Sequence, residues 1–260
     1  MALSTPRLVL LLTGVLLVVC GIAVGVSEAL THERTTTTTI ARHIERVVVR
    51  ADTGHVNLSG SEGARVRVRE KLRWIWRKPR VSTRVAGATL MVSAECPGSS
   101  TLNRCKADLD LAIPFDADVV VRGDSGDISA ERLAGHLKLT TDSGDVTARD
   151  LNAISVAATT NAGDVDVAFT TQPVSVSANS NSGDVLVAVP GGGEYRVDAT
   201  TAAGDVNVEG VVRNDRSLRS IAATADAGDV TVEGILRNDH AGRSITATAD
   251  AGDVTVRGRS

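Results

Sequence analysis

The sequence predicts an all-β fold, a single-stack β-solenoid of about 20-residue coils preceded by one N-terminal transmembrane helix. Three observations carry that expectation. Seven Gly-Asp pairs, each followed by Val or Ile, recur with their glycines 18, 19, 20, 21, 24 and 24 residues apart, a period typical of stacked repeats. Around each pair, apolar and polar residues alternate with period two, as strand, turn and strand require. Near the N-terminus, 19 consecutive residues carry no charge.

Residues 1–7 form a short leading segment with a single cation, Arg7. Residues 8–26, opening on Leu8 and closing on Val26, are long enough to span a bilayer and longer than the usual hydrophobic region of a secretory signal. Arg7 before the span and Glu28 after it favour a cytoplasmic N-terminus and an extracytoplasmic C-terminal domain. The chain is therefore expected at the cell membrane as a single-pass protein. A signal cleaved at Ser27-Glu28-Ala29 is the alternative. Residues 27–43 include five consecutive threonines, 35–39, and read as an extended spacer.

Residues 44–122 begin in strand character, and Asp52-Thr53-Gly54-His55-Val56 looks like an eighth, degenerate turn. An insertion with a different character follows. Laid out as a strand, it sets Arg65, Arg67, Arg69, Lys71, Arg73 and Arg77 on one face, against Val66, Val68, Glu70, Leu72, Trp74 and Trp76 on the other. Residues 65–84 hold nine cations against Glu70 alone, a net +8 in a chain of net −3, so the remainder carries −11. Such asymmetry invites an anionic partner, either lipid head groups or phosphate-rich envelope polymers. Pairing with Asp and Glu of neighbouring strands is the competing account. An extracytoplasmic placement argues against nucleic acid, and both tryptophans are expected in the core or an end cap. Cys96 and Cys105 frame an eight-residue loop. In an oxidising compartment they are expected to form a disulfide; a metal pair, the rival reading, finds only scattered histidines to complete it.

Residues 123–260 are the Gly-Asp-Val repeats. Asn or Asp at the first turn position is expected to bond the backbone two residues on, and glycine to supply a positive φ. On that reading Gly126, Gly144, Gly163, Gly183, Gly204, Gly228 and Gly252 are structural. Asp127, Asp145, Asp164, Asp184, Asp205, Asp229 and Asp253 then form a column about 5 Å apart. No cofactor is expected. Calcium is the one ion the column invites, although carboxylates bonded to turn amides need none. Only 2% of residues are aromatic although 42% are hydrophobic, so the core must be thin layers of Val, Ile, Leu and Ala with little material for a deep pocket. No catalytic pair stands out among equivalent turn aspartates, so enzymatic activity is not expected.

Four features stand in order along the chain: the N-terminal span; Val47-Val48-Val49 before Asp52-Thr53-Gly54-His55-Val56; Leu109-Asp110-Leu111-Ala112-Ile113-Pro114; and Val189-Pro190-Gly191 leading to Tyr195. With the serial Gly-Asp turns they resemble the bacterial "putative adhesin" domain of unknown function, a β-strand-repeat family of cell envelopes. The resemblance covers about residues 44–257. It implies a β-helix outside the membrane, with adhesion or envelope-stress roles and no catalytic residues to carry over. The expected function is a non-enzymatic surface module. The alternative is an envelope module that assembles end to end through exposed solenoid ends.

Overall fold

Period-two alternation in the sequence becomes period-two burial in the structure. The computed structural model describes residues 31–63, 65–98, 105–191, 194–209, 211–213, 216–234, 248–249 and 254–255. In Ser155–Ala162, for example, Val156, Ala158 and Thr160 are buried while Ser155, Ala157 and Thr159 face outward. The span expected over residues 8–26, like Gly252 and Asp253, lies outside the described residues. Among those described, no helix is long and apolar enough to cross a membrane.

The described residues form strands and no helix. The N-terminal strands are β1 (His32–Ile40), β2 (Arg46–Thr53), β3 (Val56–Ser61), β4 (Val66–Trp74), β5 (Arg80–Ala86), β6 (Thr89–Glu95) and β7 (Lys106–Pro114). The middle coils are β8 (Asp118–Ser125), β9 (Ile128–Glu131), β10 (His136–Ser143), β11 (Val146–Leu151), β12 (Ser155–Ala162), β13 (Val165–Phe169), β14 (Ser175–Ser182) and β15 (Val185–Val189). The last are β16 (Glu194–Ala203), β17 (Val206–Glu209), β18 (Val212–Arg213), β19 (Ser220–Ala227), β20 (Val230–Gly234), β21 (Thr248–Ala249) and β22 (Val254–Thr255).

Each Gly-Asp corner sends one strand into each of two sheets. One sheet runs β1-β4-β7-β3-β9-β11-β13-β15-β20-β17-β22; the other runs β5-β6-β2-β8-β10-β12-β14-β19-β16-β18, with β21 also on β16. Coil neighbours are parallel and in register, so that Val146 lies between Ile128 and Val165, and Leu137 between Val119 and Val156. The sheets do not close, and the apolar side chains between them make one continuous core of small aliphatic layers. This is a β-helix-like solenoid.

Stacking order departs from chain order near the C-terminus. Val185 pairs with Val230, and Val230 in turn with Val206, so the Gly228 coil is wedged between the Gly183 and Gly204 coils. The opposite sheet repeats the inversion, Ile221 lying between Val176 and Val197. Connection length permits it. The four residues 190–193 can bridge roughly 10 Å, the thickness of two layers.

The N-terminal end is built differently. Strands β6 and β7 form an end coil on β2 and β3. Beyond them the pairing turns antiparallel, β4 on β7, β1 on β4, and β5 on β6. The threonine run is extended, as a spacer would be, and is also hydrogen-bonded along β4, where β-branched side chains suit a pleated surface.

Candidate functional site

Three features merit description as sites: the corner column, the basic strand and the cysteine loop. At the corner, Gly126, Gly144, Gly163, Gly183, Gly204 and Gly228 all have positive φ, as does Gly54. A second constraint comes from stacking. A Cβ on Gly163 would stand 2.3 Å from the carbonyl oxygen of Gly144, and the same close approach repeats up the stack.

The aspartates bond between coils. The Asp145 N–H donates to Asp127 Oδ1 at 3.1 Å, Asp164 N–H to Asp145 Oδ1 at 2.9 Å, and Asp184 N–H to Asp164 Oδ1 at 2.9 Å. The line continues through Asp229 onto Asp184 and Asp205 onto Asp229, each at 2.8 Å. At the N-terminal end His55 and Asp108 take the same places. His55 N–H donates to Asp108 Oδ1 at 3.0 Å, and Asp127 N–H to His55 Nδ1 at 3.2 Å. The carboxylate after each glycine therefore joins one layer to the next. The residue before the Ser/Ala-Gly pair does likewise: Asn181 donates to Asn161 and Asn161 to Asp142. The local bond expected of an Asx turn is replaced by a side-chain ladder, because parallel in-register stacking brings equivalent groups closer to each other than to their own turn. No group of three or more His, Cys, Asp or Glu that could hold a metal ion occurs among the described residues.

Sequence reading missed a buried hydroxyl column. Thr141, Thr160, Ser180 and Thr201 are nearly inaccessible, and each donates to the carbonyl of a stacked glycine: Gly126 at 3.2 Å, Gly144 at 2.9 Å, Gly163 at 2.8 Å and Gly228 at 2.9 Å. The signal was a Thr or Ser three residues before the corner glycine. A buried carbonyl left without a partner costs about 1–3 kcal/mol. Thr160→Val, close to isosteric, is thus expected to lower stability by about that amount in urea titration, whereas Thr160→Ser should stay near wild type.

The basic strand occupies β4, between β7 and β1. Val66, Val68 and Leu72 are buried, and Arg67, Arg69, Lys71 and Arg73 face outward as expected. Arg65 is exposed just before the strand, and the strand ends at Trp74, which places Arg77 on the following turn rather than on the ridge. Half of the ridge is neutralised. Lys71 Nζ lies 3.3 Å from Glu33, and Arg73 Nη2 lies 3.0 Å from Asp108, which Lys106 also approaches at 3.4 Å. Burial alone would raise the Asp108 carboxyl, but the His55 amide bond, Lys106 and Arg73 outweigh it and bring it below its ordinary value. Arg67 and Arg69 make no ion pair among the described residues. They flank a shallow trough of about 410 Å³ lined also by Asn57, Ser59, Ala112 and Ser129 and by two carboxylates, Glu131 and Asp110, the latter cross-strand from Arg69.

Cys96 and Cys105 form a disulfide, with Cα atoms 5.8 Å apart. The loop they close joins β6 to β7, so in the end coil it stands on the side where the next coil turns at Gly54-His55 and the coils after it at Gly-Asp. The Cys96 N–H donates to Asp52 at 3.0 Å, tying the loop to the next layer.

A groove of about 590 Å³ opens at the same end, between β1 and β4 on one side and the start of β5 on the other. Arg34, Glu70, Leu72, Lys78, Arg80 and Val81 line it. Burial raises the Glu70 carboxyl, and Lys78 and Arg34 oppose that shift.

Comparison with known proteins fits this architecture. The chain is similar to a crystal structure titled a putative cell adhesion protein from Clostridium sporogenes, at 15% identity and a TM-score of 0.51, over 78% of this chain and 100% of that one. It is also similar to one titled a putative adhesin from Bacteroides fragilis, at 12% identity and a TM-score of 0.38, over 78% and 97%. A third, titled a putative lipid binding protein from Parabacteroides distasonis, has 10% identity and a TM-score of 0.30, over 78% and 97%. At these identities the first likeness concerns the fold alone, and no curated protein matches. The sequence model of the Toastrack DUF4097 family matches residues 41–257, and the chain belongs to that family.

Proposed function

We propose that this protein is a non-enzymatic, membrane-anchored surface module, its solenoid held outside the cytoplasmic membrane by residues 8–26. On this reading it serves adhesion or envelope sensing. Arg67 and Arg69 hold an anionic envelope polymer along the trough on the outer face of the first sheet. The supporting observation is that these two guanidinium groups stand exposed beside the trough, while Lys71 and Arg73 of the same ridge are paired. A rigid, in-register sheet suits a polymer ligand, since the spacing of its surface groups is fixed by the backbone. End-to-end assembly finds less support, because antiparallel strands rather than an open parallel coil face the N-terminal end. Calcium finds little support as well, since Oδ1 of each linked aspartate already accepts an amide.

The test is binding of poly(glycerol phosphate), with neutral dextran as control, by wild type and by an Arg67→Glu/Arg69→Glu double variant. Charge reversal is expected to weaken binding about tenfold, and added salt to weaken the wild type similarly. Equal binding by both proteins would discard the trough as the site.

A further inference from the structure

The register of β1 on β4 brings two distant parts of the sequence to one point. His32 pairs with Trp74, and their rings stack at 5.6 Å. His32 follows Val26 by only six residues, about 20 Å at full extension, so the end of the 19-residue apolar span is tethered close to this corner. The turn that leaves β4 here is Ile75-Trp76-Arg77-Lys78-Pro79. Trp76 is 72% exposed, at the end cap and not in the core, whereas Trp74 packs against the core. Lys78 lies with its Nζ 5.6 Å from the Trp74 ring, and Arg80 opens the next strand. An exposed indole among cations is a costly surface in water. It suits the headgroup region of a bilayer, where tryptophan rings are favoured and basic residues are drawn to anionic lipid.

The adjoining groove has the matching chemistry. Three of its cations, Arg34, Lys78 and Arg80, face one carboxylate, Glu70, leaving a net +2, and Leu72 and Val81 supply an apolar wall. A phosphate fits the cations and the first carbons of an acyl chain fit the wall.

We propose that the tip of the end cap, Trp76 with Arg77, Lys78 and Arg80, seats in the headgroup layer of the membrane, and that the groove beside it takes the headgroup of an anionic phospholipid. This rests on the reading of residues 8–26 as a membrane span. It gives the solenoid a fixed attachment to the bilayer in place of a free tether. It also separates two basic surfaces by task, the tip for lipid and the Arg67–Arg69 trough for polymer.

The chain has two tryptophans, so fluorescence of a Trp74→Phe variant reports Trp76 alone. Full-length protein would be placed in phosphatidylcholine vesicles with and without about one-third phosphatidylglycerol. Flotation after an alkaline wash tests the span. Acyl-brominated lipid and aqueous acrylamide, used as separate quenchers, test the tip. The expected result is that the chain floats, that brominated lipid quenches Trp76, and that phosphatidylglycerol lowers acrylamide quenching several-fold. Lys78→Glu/Arg80→Glu should abolish the effect of phosphatidylglycerol while leaving flotation intact. A chain that floats with Trp76 open to acrylamide and untouched by brominated lipid overturns the tip and spares the span. One that fails to float overturns both.

Discussion

Gly163→Ala is expected to lower the melting temperature by roughly 6–12 °C, the shift that about 3 kcal/mol produces in a domain of this size. Two effects combine at this position. The backbone φ of 138° is one that L residues rarely adopt, and the added methyl would stand 2.3 Å from the Gly144 carbonyl oxygen. Relieving that contact means parting two coils, which breaks the Asp164 amide bond to Asp145 and strains the Thr160 hydroxyl on the same carbonyl. Gly87→Ala separates the two causes. Its φ is 60° and nothing lies within 4 Å of the new methyl, so only backbone strain of about 1 kcal/mol should register. Equal melting shifts for the two variants would show that close stacking contributes nothing.

Loss of the Cys96–Cys105 disulfide is expected to cost about 2–3 kcal/mol, the chain-entropy value for a loop with the 9-residue separation seen here. The loss should be concentrated in the end coil. There the cysteine loop leads into a corner in which Ala107 stands in the place of the stacked glycine, while Asp108 keeps the inter-coil carboxylate. Adding a reductant should therefore lower the melting temperature of wild type and leave a Cys96→Ser/Cys105→Ser variant unchanged, with early proteolytic cleavage between β6 and β7. A wild-type melting curve insensitive to a reductant that demonstrably opens the bond would refute the claim.

The coils themselves were legible in the sequence because their cause is local. Alternation fixes which side chains are buried, and glycine marks the one corner where no side chain fits. Even the degenerate corner at Gly54 could be read, since His55 occupies the aspartate position and its Nδ1 accepts the same amide. The hydroxyl column was hidden because a threonine three residues before glycine looks like any polar strand residue until stacking shows which carbonyl it reaches. The partners of Lys71 and Arg73 were hidden for a similar reason. Glu33 and Asp108 are distant in sequence and come near only through antiparallel pairing, whereas Arg67 lies opposite Ala112 and Arg69 opposite Asp110, which accepts from Asn57. Trp76 shows the limit of pattern alone. Alternation placed it on the apolar face, but the strand stops two residues earlier.

The inverted order of the last coils bears on how the molecule can be made. A solenoid stacked in chain order can add each layer as it emerges, every new strand finding its ledge already laid down. Here the ledge left by β14 and β15 is finally covered by β19 and β20, and the strands that emerge between them belong one storey higher. Residues 194–209 must wait for a foundation that arrives later, or settle first on the wrong layer and be displaced. Vectorial assembly is therefore expected to pause at residue 189, with β16, β17, β19 and β20 docking together in a slow refolding phase that shortening the chain to residue 189 would remove.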